Sequence, residues 1–199
     1  MDNHDSIKAT LDSAASRAIE IMTCADWEDI GEVDDVNCFR RQTESGIYMS
    51  KSTGVINHSA ETICALLWNY NRKKEWDDSL EHIYVVREFS ETFRIMYQRF
   101  TAPWPVSYRD FVIAMRYEDH GDHILLVGQS VEAGVAEVEG VVRGEVFNSC
   151  YRLQKLSPSA TEVTYMTGID PKGSIPYMVI NAVGKKQCLI VGKIRSILG

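Results

Sequence analysis

The segment Asp119-His120-Gly121-Asp122-His123 brings together four side chains of the kinds that ligate zinc or activate water. Asp and Gly are also what a tight turn requires, and the segment falls between two strand-like runs, so it reads as a hairpin tip. Arg109-Asp110 sets a cation beside a carboxylate, a pairing that could serve acid–base work. Neighbours on a strand point to opposite faces, however, so the two read as structural anchors, each tying down a loop. Arg72-Lys73-Lys74 lies in a polar helical piece, where a solvated face is the plain reading. The five cysteines (Cys24, Cys38, Cys64, Cys150, Cys188) show no paired spacing for zinc and an odd count for disulfides, so they read as buried thiols of a reducing compartment. No Gly-x-Ser-x-Gly elbow, His-Glu-x-x-His pair, P-loop or dinucleotide fingerprint occurs. The chain is expected not to be an enzyme and to need no cofactor or metal.

The elements that carry these residues follow from periodicity. With 199 residues, 45% apolar and 25% charged, the chain suits one globular domain spanning 1–199. A net charge of −7 argues against a nucleic-acid partner. The acidic, polar Met1-Asp2-Asn3-His4-Asp5 is unlike a signal peptide and no apolar run would span a bilayer, so a cytoplasmic monomer is expected. An N-terminal helix lies within 1–24, with Ile7, Leu11, Ala14, Ala18 and Met22 on its apolar face. Short strands begin at Trp27 and continue over 37–42 and 46–56. Ser59 caps a short helix containing Ile63, Cys64 and Leu67, and the polar piece 71–77 follows it. Strands are then predicted near 80–89, 92–101, 107–118, 123–131, 143–156 and 161–169.

After the turn at Asp170-Pro171-Lys172-Gly173, helical spacing of Met178, Ile180, Val183, Ile190, Val191, Ile194 and Ile197 predicts a C-terminal helix over 176–198. The order is α+β: about nine strands, mostly antiparallel, between a first and a last helix. A sheet of that width twists and curls, and one long helix laid across its concave face encloses a hollow unless large side chains fill it. If Phe111 points into that hollow, period two sends Ile113, Met115 and Tyr117 after it.

Pro103-Trp104-Pro105-Val106-Ser107-Tyr108-Arg109-Asp110-Phe111-Val112 resembles the START domain, the lipid-transfer family related to the steroidogenic acute regulatory protein. Several stretches agree in order and spacing. They are Trp27; Ser45-Gly46-Ile47-Tyr48 before Lys51; Arg72 to Asp77; Gly140-Val141-Val142-Arg143; Thr164-Tyr165 through Asp170 to Gly173; Ile175-Pro176; and Ile180-Asn181. The resemblance implies a helix-grip fold in which one lipid lies between the curved sheet and a C-terminal lid helix. It implies lipid transport in the cytoplasm and no catalysis. Relatives that carry sterol place a carboxylate–arginine pair at positions falling on or near Met96 and Met115 here, both apolar, while Arg116 would face away. Relatives that carry phosphatidylcholine meet the phosphate with a basic residue, here Lys73 with Arg72 beside it. They hold choline in an aromatic cage whose positions carry Phe111, Phe147 and Gln98.

The resemblance therefore implies a glycerophospholipid cargo, with a sterol or ceramide carrier, a lipid-sensing regulator or a helix-grip enzyme as alternatives. The expected lipid-binding set is Lys73, Arg72, Trp76, Gln98, Phe111, Ile113, Met115, Phe147, Ser149, Met178, Val183, Ile190 and Ile194. Transient contact with a membrane surface is expected through the lid helix, with Lys185, Lys186, Lys193 and Arg195 on its basic side, and through a mobile gate loop at 132–139.

Overall fold

The computed structural model describes residues 3–173, 175, 183–184 and 186–199. Helix α1 (Asn3–Thr23) leads into β1 (Glu28–Val33), β2 (Val36–Gln42) and β3 (Tyr48–Ile56). Helix α2 (Ala60–Trp68) and a 3-10 helix (Tyr70–Glu75) precede β4 (Leu80–Ser90), β5 (Phe93–Phe100), β6 (Tyr108–Asp119) and β7 (His123–Ser130). Strands β8 (Val141–Arg143), β9 (Glu145–Ser157) and β10 (Ala160–Asp170) and the final helix α3 (Ile190–Leu198) complete the described chain.

The strands form one sheet in the order β1-β2-β3-β10-β9-β7-β6-β5-β4, antiparallel at every step, with β8 alongside β6 in parallel. This is the expected curved antiparallel sheet of a helix-grip fold, with one more strand than the nine expected. The extra strand, β8, is three residues long and is followed by Gly144, so no run of alternating residues announced it. At the two free edges the ladder is irregular. β1 is exposed throughout and bulges between Asp29 and Gly31, and β4 shifts register three times against β5. Asp34 and Asp35, both left-handed, make the two-residue turn from β1 to β2.

Both faces of the sheet are covered. On the outer face α1 buries Ile7, Leu11, Ala18 and Met22 against Phe93, Ile95, Tyr97, Val112 and Leu125, as its apolar stripe predicts. Its last turn is fastened by Lys51, whose Nζ donates to Met22 O (3.1 Å) while lying over the Trp27 and Phe39 rings. Trp27 Nε1 donates to Ile21 O (2.7 Å). On the inner face α2 and α3 pack together over β2, β3, β7, β9 and β10, with Ile63, Leu67, Val191 and Ile194 at the centre. Ser59 caps α2 by accepting from Thr62 N (3.2 Å). No helix among the described residues is long and apolar enough to cross a membrane.

Of the predicted lid helix, 183–184 and 186–188 are helical ahead of α3; Met178, Ile180 and Lys185 lie outside the described residues. The five cysteines are free thiols, and burial pushes Cys64 and Cys188 up to about 12, so they titrate well outside the physiological range.

Candidate functional site

The inner face is not filled. A cavity of about 580 Å³ lies between β5, β6, β9 and β10 on one side and the 3-10 helix and the final helical segment on the other. That size falls in the range of small-molecule sites, roughly 300–1,000 Å³. Alternation along β6 sends Phe111, Ile113 and Met115 to its wall, as predicted. Tyr117 shares their face but packs edge-on to Trp68 (4.9 Å) beyond the cavity. Phe100 meets Phe111 edge-to-face (5.7 Å). Val146, Tyr151, Tyr165 and Ile169 continue the apolar lining from β9 and β10.

Polar groups interrupt the apolar lining. The short 3-10 helix turns Lys73 inward, where its Nζ donates to Gln98 Oε1 (2.7 Å) and lies 5.8 Å from the Phe100 ring centre. Gln98 is itself buried and donates to Met115 Sδ (3.8 Å). Burial lowers the Lys73 ammonium below the ordinary lysine range, and the charge of Asp77 offsets part of that. Asp77, Ser149 and Thr167 add hydrogen-bonding groups to the lining. Tyr165 Oη donates to Gln187 Oε1 (2.9 Å), linking the sheet to the segment that enters α3.

Nine of the residues singled out above meet here: Lys73, Trp76, Gln98, Phe111, Ile113, Met115, Ser149, Val183 and Ile190. Arg72 does not: it points to solvent and pairs with Glu75 through two bonds of 2.7 and 2.6 Å. Ile194 is fully buried one turn beyond the cavity, in the core that α3 shares with α2. Phe147 is a correction. Opposite it β10 steps register, Gly168 pairing with Asn148 and Ile169 with Val146, so Phe147 is the unpaired extra residue of a bulge. Its ring swings to the outer face, into the space left by the missing side chain of Gly168, so the cavity has no third ring there. Met178 lies outside the described residues.

The anchors flank this site. Arg109 holds the turn after β10, Nε donating to Pro171 O and Nη2 to Lys172 O (both 3.2 Å), with a further bond to Ser107 O. Asp110, on the other face and 1% exposed, accepts from Arg143 Nε (2.7 Å) and Nη2 (3.2 Å). Arg143 also reaches Ala136 O (3.3 Å), and Ala133 and Val135 pack onto the outer core. The 132–139 loop is therefore pinned at three points. Arg116 faces α1, bonding Asp12 (2.7 Å), away from the cavity as alternation predicts. His120 and His123 sit at the β6–β7 turn as expected, and no group of three or more metal-ligand side chains occurs among the described residues.

The family model of the START domain matches residues 23–194. The chain belongs to the START domain family. Among curated START proteins it is similar to the ceramide transfer protein of Xenopus laevis, 26% identical over 188 residues. That match covers 82% of this chain but 30% of the relative, so the chain spans less than a third of the curated relatives it matches first. Among solved START structures, the human StAR-related lipid transfer protein 5 superposes with a TM-score of 0.86 at 17% identity, covering 96% of both chains. Human STARD10 superposes at 0.80 with 21% identity, covering 91% of this chain and 76% of the other. At those identities the superpositions establish the fold.

Proposed function

We propose that the cavity takes up one membrane lipid and that the protein carries it between membranes, with a glycerophospholipid as cargo. Burying tens of methylenes at ~0.8 kcal/mol each makes passage through water prohibitive, whereas moving from bilayer to a dry cavity nearly cancels that cost. Carriage thus needs a cavity and a movable lid, and no chemistry. The observation that supports the cargo best is Lys73, an ammonium facing an apolar wall whose bonded partner is a neutral amide rather than a carboxylate. Lys73, Arg109, Lys186 and Lys193 line the space against Asp77 and Asp78, an imbalance that favours an anionic head group. With Phe147 on the outer face, the choline cage implied by the resemblance keeps Phe111 alone of its expected rings, with Phe100 edge-on beside it, so ethanolamine fits at least as well as choline.

A second reading, a ceramide-like cargo, draws on the similarity to ceramide transfer proteins and on Asp77 and Gln98, which offer acceptors to hydroxyl and amide groups. Native mass spectrometry of the purified protein decides between them. A bound phospholipid supports the first reading and ceramide the second; an empty cavity or a sterol overturns both. Lys73→Ala should slow phospholipid transfer between vesicles about tenfold while leaving unfolding cooperative, since a hydrogen bond to a charged group is worth roughly 1.5–3 kcal/mol. Unchanged transfer removes Lys73 from the site. Because its folded pKa lies below its unfolded one, the charge on Lys73 opposes folding at neutral pH, and that cost fades as pH rises through the lowered value. An anionic head group should therefore raise that pKa on binding. A sensing role predicts retained lipid without transfer.

Membrane contact is assigned to the basic side of the final segment. Lys186 and Lys193 lie 3.6 and 3.8 Å from Asp78 across the cavity rim. Such exposed pairs contribute about 0–1 kcal/mol, so anionic head groups at ~1 kcal/mol per charge can displace them. Arg195 is instead held by the backbone oxygens of Val55 and Asp34. Asp78→Asn should steepen the gain in transfer on adding phosphatidylserine to the vesicles, and an unaltered dependence speaks against this contact.

A further inference from the structure

A second cleft, of about 550 Å³, opens on the inner face beyond the C-terminus of α2 and shares no lining residue with the lipid cavity. Its walls are Trp68, Tyr70, Tyr117, Ala65 and Ile124, and at its base lies Arg94. Arg94 is 6% exposed, yet no carboxylate among the described residues comes within ion-pair distance of it; the exposed Glu88 on the neighbouring strand acts on it only from farther off. Its Nη2 donates to Trp68 O, the last carbonyl of α2, and its guanidinium stacks 3.9 Å from the Trp68 ring centre and 5.1 Å from that of Tyr70. Its buried Nε has no hydrogen-bond partner. Capping a helix end uses one of five donors; it does not neutralise the charge. A buried cation without a counter-ion is costly unless an anion completes it.

The rim carries Glu61 and Asp119, and the single Lys155 ammonium bridges both, at 2.9 and 3.1 Å, which halves the negative charge an entering anion meets there. One guanidinium and no second lining cation suit a monoanion better than a phosphate, and three aromatic walls suit a flat apolar body. We propose that this cleft is a second ligand site, taking a small aromatic monocarboxylate whose carboxylate meets Arg94 while its ring lies among Trp68, Tyr70 and Tyr117.

Phenylacetate titrated calorimetrically into the whole chain tests this. Saturable binding is expected, with none for phenylacetamide or inorganic phosphate at equal concentration. Arg94→Gln should weaken it about tenfold or more. Because Arg94 also caps α2, Ala65→Phe supplies an independent arm: that exposed residue lines the cleft, and the added ring blocks it without touching the core. Lys73→Ala should leave the affinity unchanged. Absence of saturation by ~1 mM, equal binding of phosphate, indifference to Ala65→Phe or loss in Lys73→Ala would each overturn the assignment.

Discussion

Replacing Ser149 by tryptophan is expected to leave a folded protein that carries no lipid. Ser149 projects from the middle of β9 into the cavity, level with Thr167 across the strand pair. An indole there lies where acyl chains would, and the open volume of about 580 Å³ lets it enter without displacing the core. Overpacking a filled interior costs typically 1–3 kcal/mol; here most of that is avoided because the space is vacant. Lipid co-purification and vesicle-to-vesicle transfer should both fall to background while the unfolding midpoint moves little. Normal transfer by the folded variant would mean that cargo does not occupy this space.

The second large effect is on stability. Asp110→Ala removes the carboxylate that satisfies Arg143, and Arg143 in turn fastens the 132–139 loop through Ala136 O. Breaking a buried ion pair from one side costs about 3–5 kcal/mol, and Arg143 keeps a quarter of its side chain exposed, which places the loss near 3 kcal/mol. For a chain of this size that lowers the melting temperature by roughly 6–12 °C. Calorimetry checks it. A shift below about 2 °C would show that solvent, not Asp110, satisfies Arg143.

These two residues also mark how far the sequence could be read. Period two along β6 is unbroken, so Phe111, Ile113 and Met115 could be assigned to one face before any coordinates, and Arg109 and Asp110 to opposite ones. In β9 the same arithmetic fails at one residue. The bulge beside Gly168 inserts Phe147 between Val146 and Asn148, reversing its face, and nothing in the local composition of Val146-Phe147-Asn148 marks the insertion. Beyond it Ser149 and Tyr151, the latter stacked on Tyr165 at 4.3 Å, keep the cavity face that Phe147 would have shared by alternation, and the bulge alone takes Phe147 off it.

Helical spacing separated the apolar from the basic side of the last helix but could not say where along it the cavity ends. Ile190 borders open space, whereas Ile194, one turn on, is sealed against α2. Arg72 and Lys73 differ by one step of a 3-10 helix, and only tertiary packing decides which of two adjacent cations turns inward. Arg94, the cation beneath the second cleft, carried no local signal, because its significance lies in the lack of a carboxylate within ion-pair distance, which only the folded arrangement determines.

The irregular margins of the sheet bear on what happens when many copies of the chain meet at high concentration. An uncurtained β-ladder with unused amides would template its own continuation by a neighbour. Here the first strand is kinked at Gly31 and lined by Glu28, Asp29 and Glu32, and the fourth strand repeatedly loses step with β5. Neither offers the straight, evenly spaced row of donors and acceptors that fibril growth requires, so the margins of the sheet disfavour runaway stacking.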